Sequence, residues 1–212
     1  AHLFTGIRFL QDSNRKMPVD GNTKFNDLKK AYAKGIELRG KTLGIVGFGR
    51  IGREVAKIAI GVGMDVWAYD LFPFNPEVTV VLGGGTTVNV NVRTATLDEI
   101  IEQADFITLH TPFVEKALLG AAELARTKKG VGLVNISRGG LIDELALIDA
   151  LNSGQVSFAA LDVFDNEPTP REEILKHPKI SLTPHIGAAT NEAQERIGVE
   201  LASLIIEHFK GK

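Results

Sequence analysis

The stretch from Lys41 to Asp70, KTLGIVGFGRIGREVAKIAIGVGMDVWAYD, limits what this chain can fold into more than any other. Thr42 to Val46 reads as a short buried strand, Gly47-Phe48-Gly49-Arg50-Ile51-Gly52 as the turn leaving it, and residues 50–63 as a helix. Val66 to Tyr69 gives a second strand, ended by Asp70. A lone GxGxxG pattern says little. Strand, glycines, helix, second strand and terminal carboxylate in that order predict a βαβ unit built around a dinucleotide.

Each part has a physical task. Gly47 permits the tight turn, Gly49 lets the backbone approach a pyrophosphate, and Gly52 lets the helix pack close to the strand. The helix start then offers unpaired N–H groups and a positive dipole end to the phosphates. Asp70, 18 residues beyond Gly52, can accept from both hydroxyls of the adenosine ribose, and its charge opposes a 2′-phosphate. The expected cofactor is therefore NAD rather than NADP. Ile51, Val55, Ile58, Ala59 and Val62 form the helix stripe expected to lie on the sheet.

Composition narrows the partners. At 212 residues and 44% hydrophobic content the chain can bury a sizeable core, and a net charge of −2 with a pI near 6.3 gives no electrostatic case for nucleic acid or an anionic membrane. Zero cysteines exclude a disulfide framework and thiolate metal sites, and fit a reducing cytosol. No apolar run reaches the roughly 18 residues of a membrane span, and the start does not resemble a signal peptide. The expected location is the cytoplasm, with no metal site.

Along the chain, Leu3, Phe4, Ile7 and Leu10 predict one amphipathic helix over 1–16, Met17 to Asn22 a loop, and Phe25 to Gly40 a largely irregular segment. After Asp70 the segment VTVVLGGGTTVNVNV, residues 78–92, alternates Val88, Val90 and Val92 with asparagines, which predicts a strand at a sheet edge; Gly83 to Gly85 read as a turn. Leu97 to Gln103 predicts a helix, Phe106 to Leu109 a strand ending in His110-Thr111-Pro112, and Leu118 to Thr127 a helix. Val131 to Ile136 predicts a strand, Asp143 to Ser153 a helix stopped by Gly154, Phe158 to Leu161 a strand closing on Asp162, and Ile180 to Leu182 a last strand closing on Pro184-His185. A long helix follows from Asn191 to Phe209, with Ala193, Ile197, Leu201, Leu204 and Ile205 on one face and a capping box from Asn191 to Gln194.

This alternation predicts a doubly wound α/β fold of the Rossmann type, with ligands beyond the carboxyl ends of parallel strands. The polar residues placed there are Asp70, His110 with Thr111, Ser137 with Arg138, Asp162 and His185. Arg138, in NISRGGLIDE, either projects paired donors to a substrate carboxylate or caps strand carbonyls at the surface. His185, in LTPHIGAAT, either moves protons near neutral pH or is structural. Glu167, in DVFDNEP, either orients that imidazole or is simply solvated.

Four blocks in one order, GIVGFGRIGREVA, NISRGGLIDE, LDVFDNEP and LTPHIGAAT, resemble the nucleotide-binding domain of the D-isomer-specific 2-hydroxyacid dehydrogenases, from about Leu38 to the end. Within that family the likeness is greatest to the branch that oxidises 3-phospho-D-glycerate in serine synthesis, with glycerate, glyoxylate or D-lactate dehydrogenases as the alternative. The resemblance implies that Arg138 holds the substrate carboxylate, His185 is the acid–base and Glu167 its partner. It places Arg50 and Ile51 on the pyrophosphate and Asp70 on the ribose. Thr111, Ile136 and Asp162 line the path to the nicotinamide, with Asp162 able to accept from its carboxamide, and His110, Pro112, Ser137, His185, Gly187 and Ala188 are the further cofactor-binding residues. Glutamate at 167 speaks against the formate dehydrogenase branch, which carries glutamine there.

The resemblance also divides the chain: residues 1–37 as a helix and loop for homodimer contact, 38–190 as the Rossmann domain, and 191–212 as a helix leading toward a substrate domain. That substrate domain has no counterpart here, so the chain reads as a fragment, an excised domain or a degenerate product, expected to bind NAD and turn over poorly or not at all alone. Residues 78–93 are longer than the resemblance predicts. An NAD-sensing corepressor is the reading from another class.

Overall fold

The computed structural model describes residues 1–112 and 115–210. Its core is a seven-stranded parallel sheet. The strands are β1 (Thr42–Val46), β2 (Asp65–Tyr69), β5 (Arg93–Thr94), β6 (Phe106–Leu109), β7 (Val131–Asn135), β8 (Val156–Leu161) and β9 (Ile180–Leu182), in the order β5-β2-β1-β6-β7-β8-β9. Strand order reverses between β1 and β6, which opens a crevice at their carboxyl ends.

Alternation along the central strands feeds two cores. Leu43 and Ile45 of β1 pack with Ala56 and Ala59 of α4 (Arg50–Gly61) and with Ile7 of α1 (His2–Ile7) on one face. Val46, Ile107 and Leu133 pack with α5 (Leu97–Gln103), α6 (Ala121–Arg126) and α7 (Glu144–Ser153) on the other. The expected doubly wound fold is what forms, and the caps follow local chemistry. Thr96 and Glu99 close a capping box on α5, Asp143 accepts from the N–H groups of Leu145 and Ala146, and α7 stops at Gly154 with φ +79°.

Several expectations need correction. The first helix breaks at Phe9, φ +55°, into α1 and α2 (Leu10–Asp20), because α1 must lie flat on β7 to β9 while α2 leaves the sheet. Pro18 sits inside α2 rather than in a loop, in the last turn of the helix, where it removes one intrahelical donor and crowds the preceding turn. Phe25–Ala31 is helical (α3) and is tied back to α2 by Tyr32 donating to Asp12 at 2.7 Å. Leu118 and Leu119 are not helical: both N–H groups donate to the Leu141 carbonyl, and Leu119 bridges to Ile142.

Residues 77–91 make a separate antiparallel hairpin, β3 (Glu77–Val81) with β4 (Thr87–Asn91), around a tight turn at Gly83–Gly85. Its period of two is real, but it does not extend the main sheet. Val78 and Val92 bury against α4's core, and Arg53 of α4 holds the carbonyls of Asn75 and Glu77. On α4 the buried face is Gly52, Ala56 and Ala59; Ile51 and Ile58 are exposed, because small residues admit the closest approach to the sheet. After α8 (Glu172–Lys176) and β9, α9 (Asn191–Lys210) is started by the Thr190 hydroxyl accepting from Ala193 N–H, in place of the capping box expected from Asn191. No residue of α9 is buried.

Candidate active site

The glycine turn lies at the sheet's switch point. Gly47 has φ +95°, and a Cβ there would stand 2.7 Å from the His110 carbonyl. Gly52 allows an even closer approach: its Cβ would lie 2.2 Å from the Gly47 oxygen. By contrast, a Cβ on Gly49 would meet no atom within 4 Å. The cradle therefore opens where a pyrophosphate would sit, and α4 starts there with no side-chain cap on its first N–H groups. Arg50 at the helix start is 90% exposed and pairs with Glu200 of α9 at 3.0 Å, and Ile51 beside it is exposed.

Asp70 stands half-buried at the end of β2. One carboxylate oxygen accepts from Phe48 N–H at 2.7 Å and the other from Phe72 N–H at 3.2 Å, so the acid ties the glycine turn to its own strand. Each oxygen keeps a lone pair for a ribose hydroxyl. These features fit an adenine dinucleotide without a 2′-phosphate.

Across the crevice His110 and Thr111 leave β6, followed by exposed Pro112. His110 Nε2 bonds the Thr108 hydroxyl at 3.0 Å, while His110 Nδ1 and Thr111 Oγ1 are buried with no protein partner. Burial pushes the His110 imidazole down to about 4. An unfolded chain takes up this proton below about pH 6.5 while the folded chain stays neutral to about pH 4. Stability therefore rises with pH across that window and is lost as pH falls through it, by at most about 3 kcal/mol. His110→Gln should remove that share of the acid sensitivity in urea titrations run between pH 7 and 4.

The catalytic candidates lie on loops after β7, β8 and β9. His185 Nδ1 is 2.8 Å from Glu167 Oε2, and the other Glu167 oxygen accepts from Phe164 N–H at 3.0 Å. This pairing, led by the His185 hydrogen bond, holds the Glu167 carboxyl below the usual carboxylate range. The ring is 52% exposed, open to an incoming hydroxyl.

Arg138 sits on the adjacent turn, where its guanidinium bonds the Ser137 carbonyl at 2.6 Å and is exposed. It makes no ion pair with Glu167 among the described residues. The two turns are nonetheless in backbone contact: a Cβ on Gly139 would lie 2.0 Å from the Phe164 oxygen.

Asp162 is 1% exposed, and its carboxylate accepts from Thr183 Oγ1 and the N–H groups of Ile186 and Gly187. Asp162, Ile136, Ile186 and Gly187 line a cleft of about 380 Å³ that reaches to Val55 of α4. Ser137 closes onto Asn135, and the Ala188 carbonyl accepts from Gln194.

Three contributors escaped the sequence reading. Buried Asn135 accepts from Ser137 N–H and donates to the Arg138 carbonyl, shaping that turn; its N-x-S spacing was the available signal. Thr183 and His2 bond each other at 3.0 Å across 181 residues, a distance no local pattern reveals.

A glycine-lined helix start at the sheet's switch point, a carboxylate at the end of β2 and a His–Glu pair on the loops after β8 and β9 define a dinucleotide-binding domain with proton-exchanging groups nearby. Residues 1–187 match the family model described as D-isomer specific 2-hydroxyacid dehydrogenase, NAD binding domain. The chain is 45% identical over 185 residues to the D-3-phosphoglycerate dehydrogenase of Bacillus subtilis (strain 168), covering 86% of this chain and 33% of that protein. It is 43% identical over 186 residues to the hydroxypyruvate reductase of Thermotoga maritima, covering 85% of this chain and 57% of that one. The structure of a glyoxylate reductase from Paecilomyes thermophila superposes with a TM-score of 0.77 at 33% identity, over 93% of this chain and 56% of that one. The chain belongs to the D-isomer specific 2-hydroxyacid dehydrogenase family as its NAD-binding domain, and spans between a third and about three fifths of the length of these relatives.

Proposed function

We propose that this domain supplies the NAD site and the acid–base machinery for interconverting a D-2-hydroxy acid and its 2-oxo acid, with 3-phospho-D-glycerate as the substrate. The observation that carries the reading is the His185–Glu167 pair at 2.8 Å, which lines a cavity of about 470 Å³ that meets the cleft lined by Asp162 and Ile136 at Thr183. Bound NAD supplies the hydride acceptor. Glu167 accepts from His185 Nδ1–H and so leaves Nε2 as the free base. In oxidation Nε2 takes the C2 hydroxyl proton as the C2 hydride departs; in reduction the imidazolium returns it. Arg138 turns from the Ser137 carbonyl to hold the substrate carboxylate with two parallel N–H donors.

The substrate assignment rests on the D-3-phosphoglycerate dehydrogenase relative. The hydroxypyruvate reductase relative supports glycerate as the second reading. NADH formation by the gene product carrying this domain, compared on phosphoglycerate, glycerate and lactate, separates them. The uncovered apolar side chains Ile197, Leu201 and Leu204 of α9 suit packing on a substrate domain, so this chain alone is expected to turn over poorly. Those of α2 and α3, Met17, Val19 and Phe25, suit a homodimer; a monomer in sedimentation at tens of micromolar would overturn that. Absence of cysteine fits a cytoplasmic setting, and no helix among the described residues is long and apolar enough to cross a membrane.

The cofactor reading is tested by titrating NADH and NADPH in parallel. Energy transfer is followed from Trp67, the sole tryptophan, buried on β2 close to Asp70. NADH should bind at least 10-fold more tightly, and Asp70→Ala should narrow that ratio. Equal binding of both nucleotides would refute the role given to Asp70.

A further inference from the structure

We propose that Asp162 is a positioning residue for His185: its buried carboxylate, braced through Thr183 by His2 of α1, pins both sides of the segment carrying the imidazole and holds the ring against Glu167. This rests on the reading of His185 as the acid–base.

The geometry is that of a clamp. Asp162 Oδ1 accepts from the Thr183 hydroxyl, two residues before His185, and from Ile186 N–H at 2.9 Å, one residue after it. Asp162 Oδ2 accepts from Gly187 N–H at 2.8 Å. A Cβ on Gly187 would stand 2.9 Å from that oxygen, so the backbone is drawn as close as a residue without a side chain permits. Between these anchors His185 adopts φ +55°, a conformation that side-chain-bearing residues hold only when their surroundings impose it. The imposing surroundings are the three bonds to Asp162.

A second layer fixes the clamp itself. Thr183 Oγ1 spends its proton on Asp162 and accepts from His2 Nε2 at 3.0 Å, while His2 Nδ1 lies 3.4 Å from Ser181 Oγ. The chain His2 to Thr183 to Asp162 runs donor to acceptor throughout, so each bond polarises the next. It ties α1, at the start of the chain, to the loop after the last strand. With three of its lone-pair positions already used by the protein, Asp162 has one left for a bound carboxamide. Its larger task is to aim the loop.

The test reads Glu167 by carboxyl ¹³C NMR in the ligand-free chain, because that titration reports whether the imidazole is in place. Removing the ring with His185→Gln sets the unpaired reference, with the Glu167 midpoint raised toward the ordinary carboxylate value. The two routes by which Asp162→Ala could act differ in sign. Loss of the Asp162 charge alone lowers the Glu167 midpoint further, since that charge raises it; release of the loop raises it toward the His185→Gln value. Thr183→Val and His2→Phe leave the Asp162 charge in place and serve where Asp162→Ala fails to fold.

The expected result is a rise covering at least half the interval to the reference in Asp162→Ala, with a smaller rise in Thr183→Val and the smallest in His2→Phe. A Glu167 midpoint that stays at or below the wild-type value in the folded Asp162 and Thr183 variants would overturn the proposal. No cofactor or substrate is present, so a failed NADH titration would count against the functional reading and leave this measurement intact.

Discussion

Gly52→Ala is expected to cut NADH affinity by at least 100-fold and to destabilise the domain by about 1–3 kcal/mol. The added methyl would lie 2.2 Å from the Gly47 carbonyl oxygen and 3.2 Å from Ile45 Cγ2. The first contact is with backbone, which cannot rotate out of the way as a flexible side chain can. Either α4 lifts from β1, or the turn at Gly47 shifts against the His110–Thr111 peptide, already within 3 Å of the Gly47 Cβ position. Both responses displace the helix start that would face the phosphates. Gly49→Ala is the informative contrast, because its Cβ meets no protein atom: it should leave stability within about 0.5 kcal/mol while weakening NADH binding by filling the cradle itself. Urea unfolding and the Trp67 energy-transfer titration, run on both variants, read the two effects separately. Equal loss of stability in both would show that space at the turn does not set the geometry.

His185→Gln should lower kcat by about 10³-fold in the gene product carrying this domain, with NADH affinity nearly unchanged. Glutamine keeps a polar tip of similar reach but cannot take the hydroxyl proton. Glu167→Gln should cost about 10²-fold, since an amide still meets the ring yet no longer stabilises its charged form. Arg138→Gln should act differently, raising KM for the hydroxy acid by about 100-fold through loss of the paired donors. Steady-state kinetics on the three variants distinguish these roles. A His185→Gln enzyme with near-wild-type kcat would remove His185 from the chemistry. Lowering the pH through the range in which Glu167 takes up its proton, which His185 holds below the ordinary carboxylate value, should weaken the pair and slow the oxidation.

What the sequence determined by itself was whatever depends on neighbours along the chain. The βαβ unit from Thr42 to Asp70, the strands β6 and β9 and the helix α5 match their expected bounds closely, because period, glycine placement and capping chemistry act over a few residues. The candidate residues could be placed for a related reason: strands in a parallel sheet all run to one edge, so polar residues just past them gather on that side of the sheet. Spacing alone could not tell Arg138 at work from Arg138 at the surface, and in this structure it caps its own Ser137 carbonyl.

Only the tertiary structure decided the rest. The valine-asparagine alternation in β4 is compatible with a sheet edge or with a free hairpin, and contact of Val78 and Val92 with α4's core settles it as a hairpin. Ile51 and Ile58 look like core by hydrophobicity, yet the small residues Gly52, Ala56 and Ala59 win the buried face because close helix–sheet packing leaves no room for larger ones. The apolar face of α9 is present in the pattern, yet none of its residues is buried among the described residues, since periodicity states that a face exists and not what lies against it. The bonds from His2 to Thr183 and from Thr183 to Asp162 join residues 181 and 21 positions apart. Such pairings are created when the chain closes on itself, and no local rule encodes them.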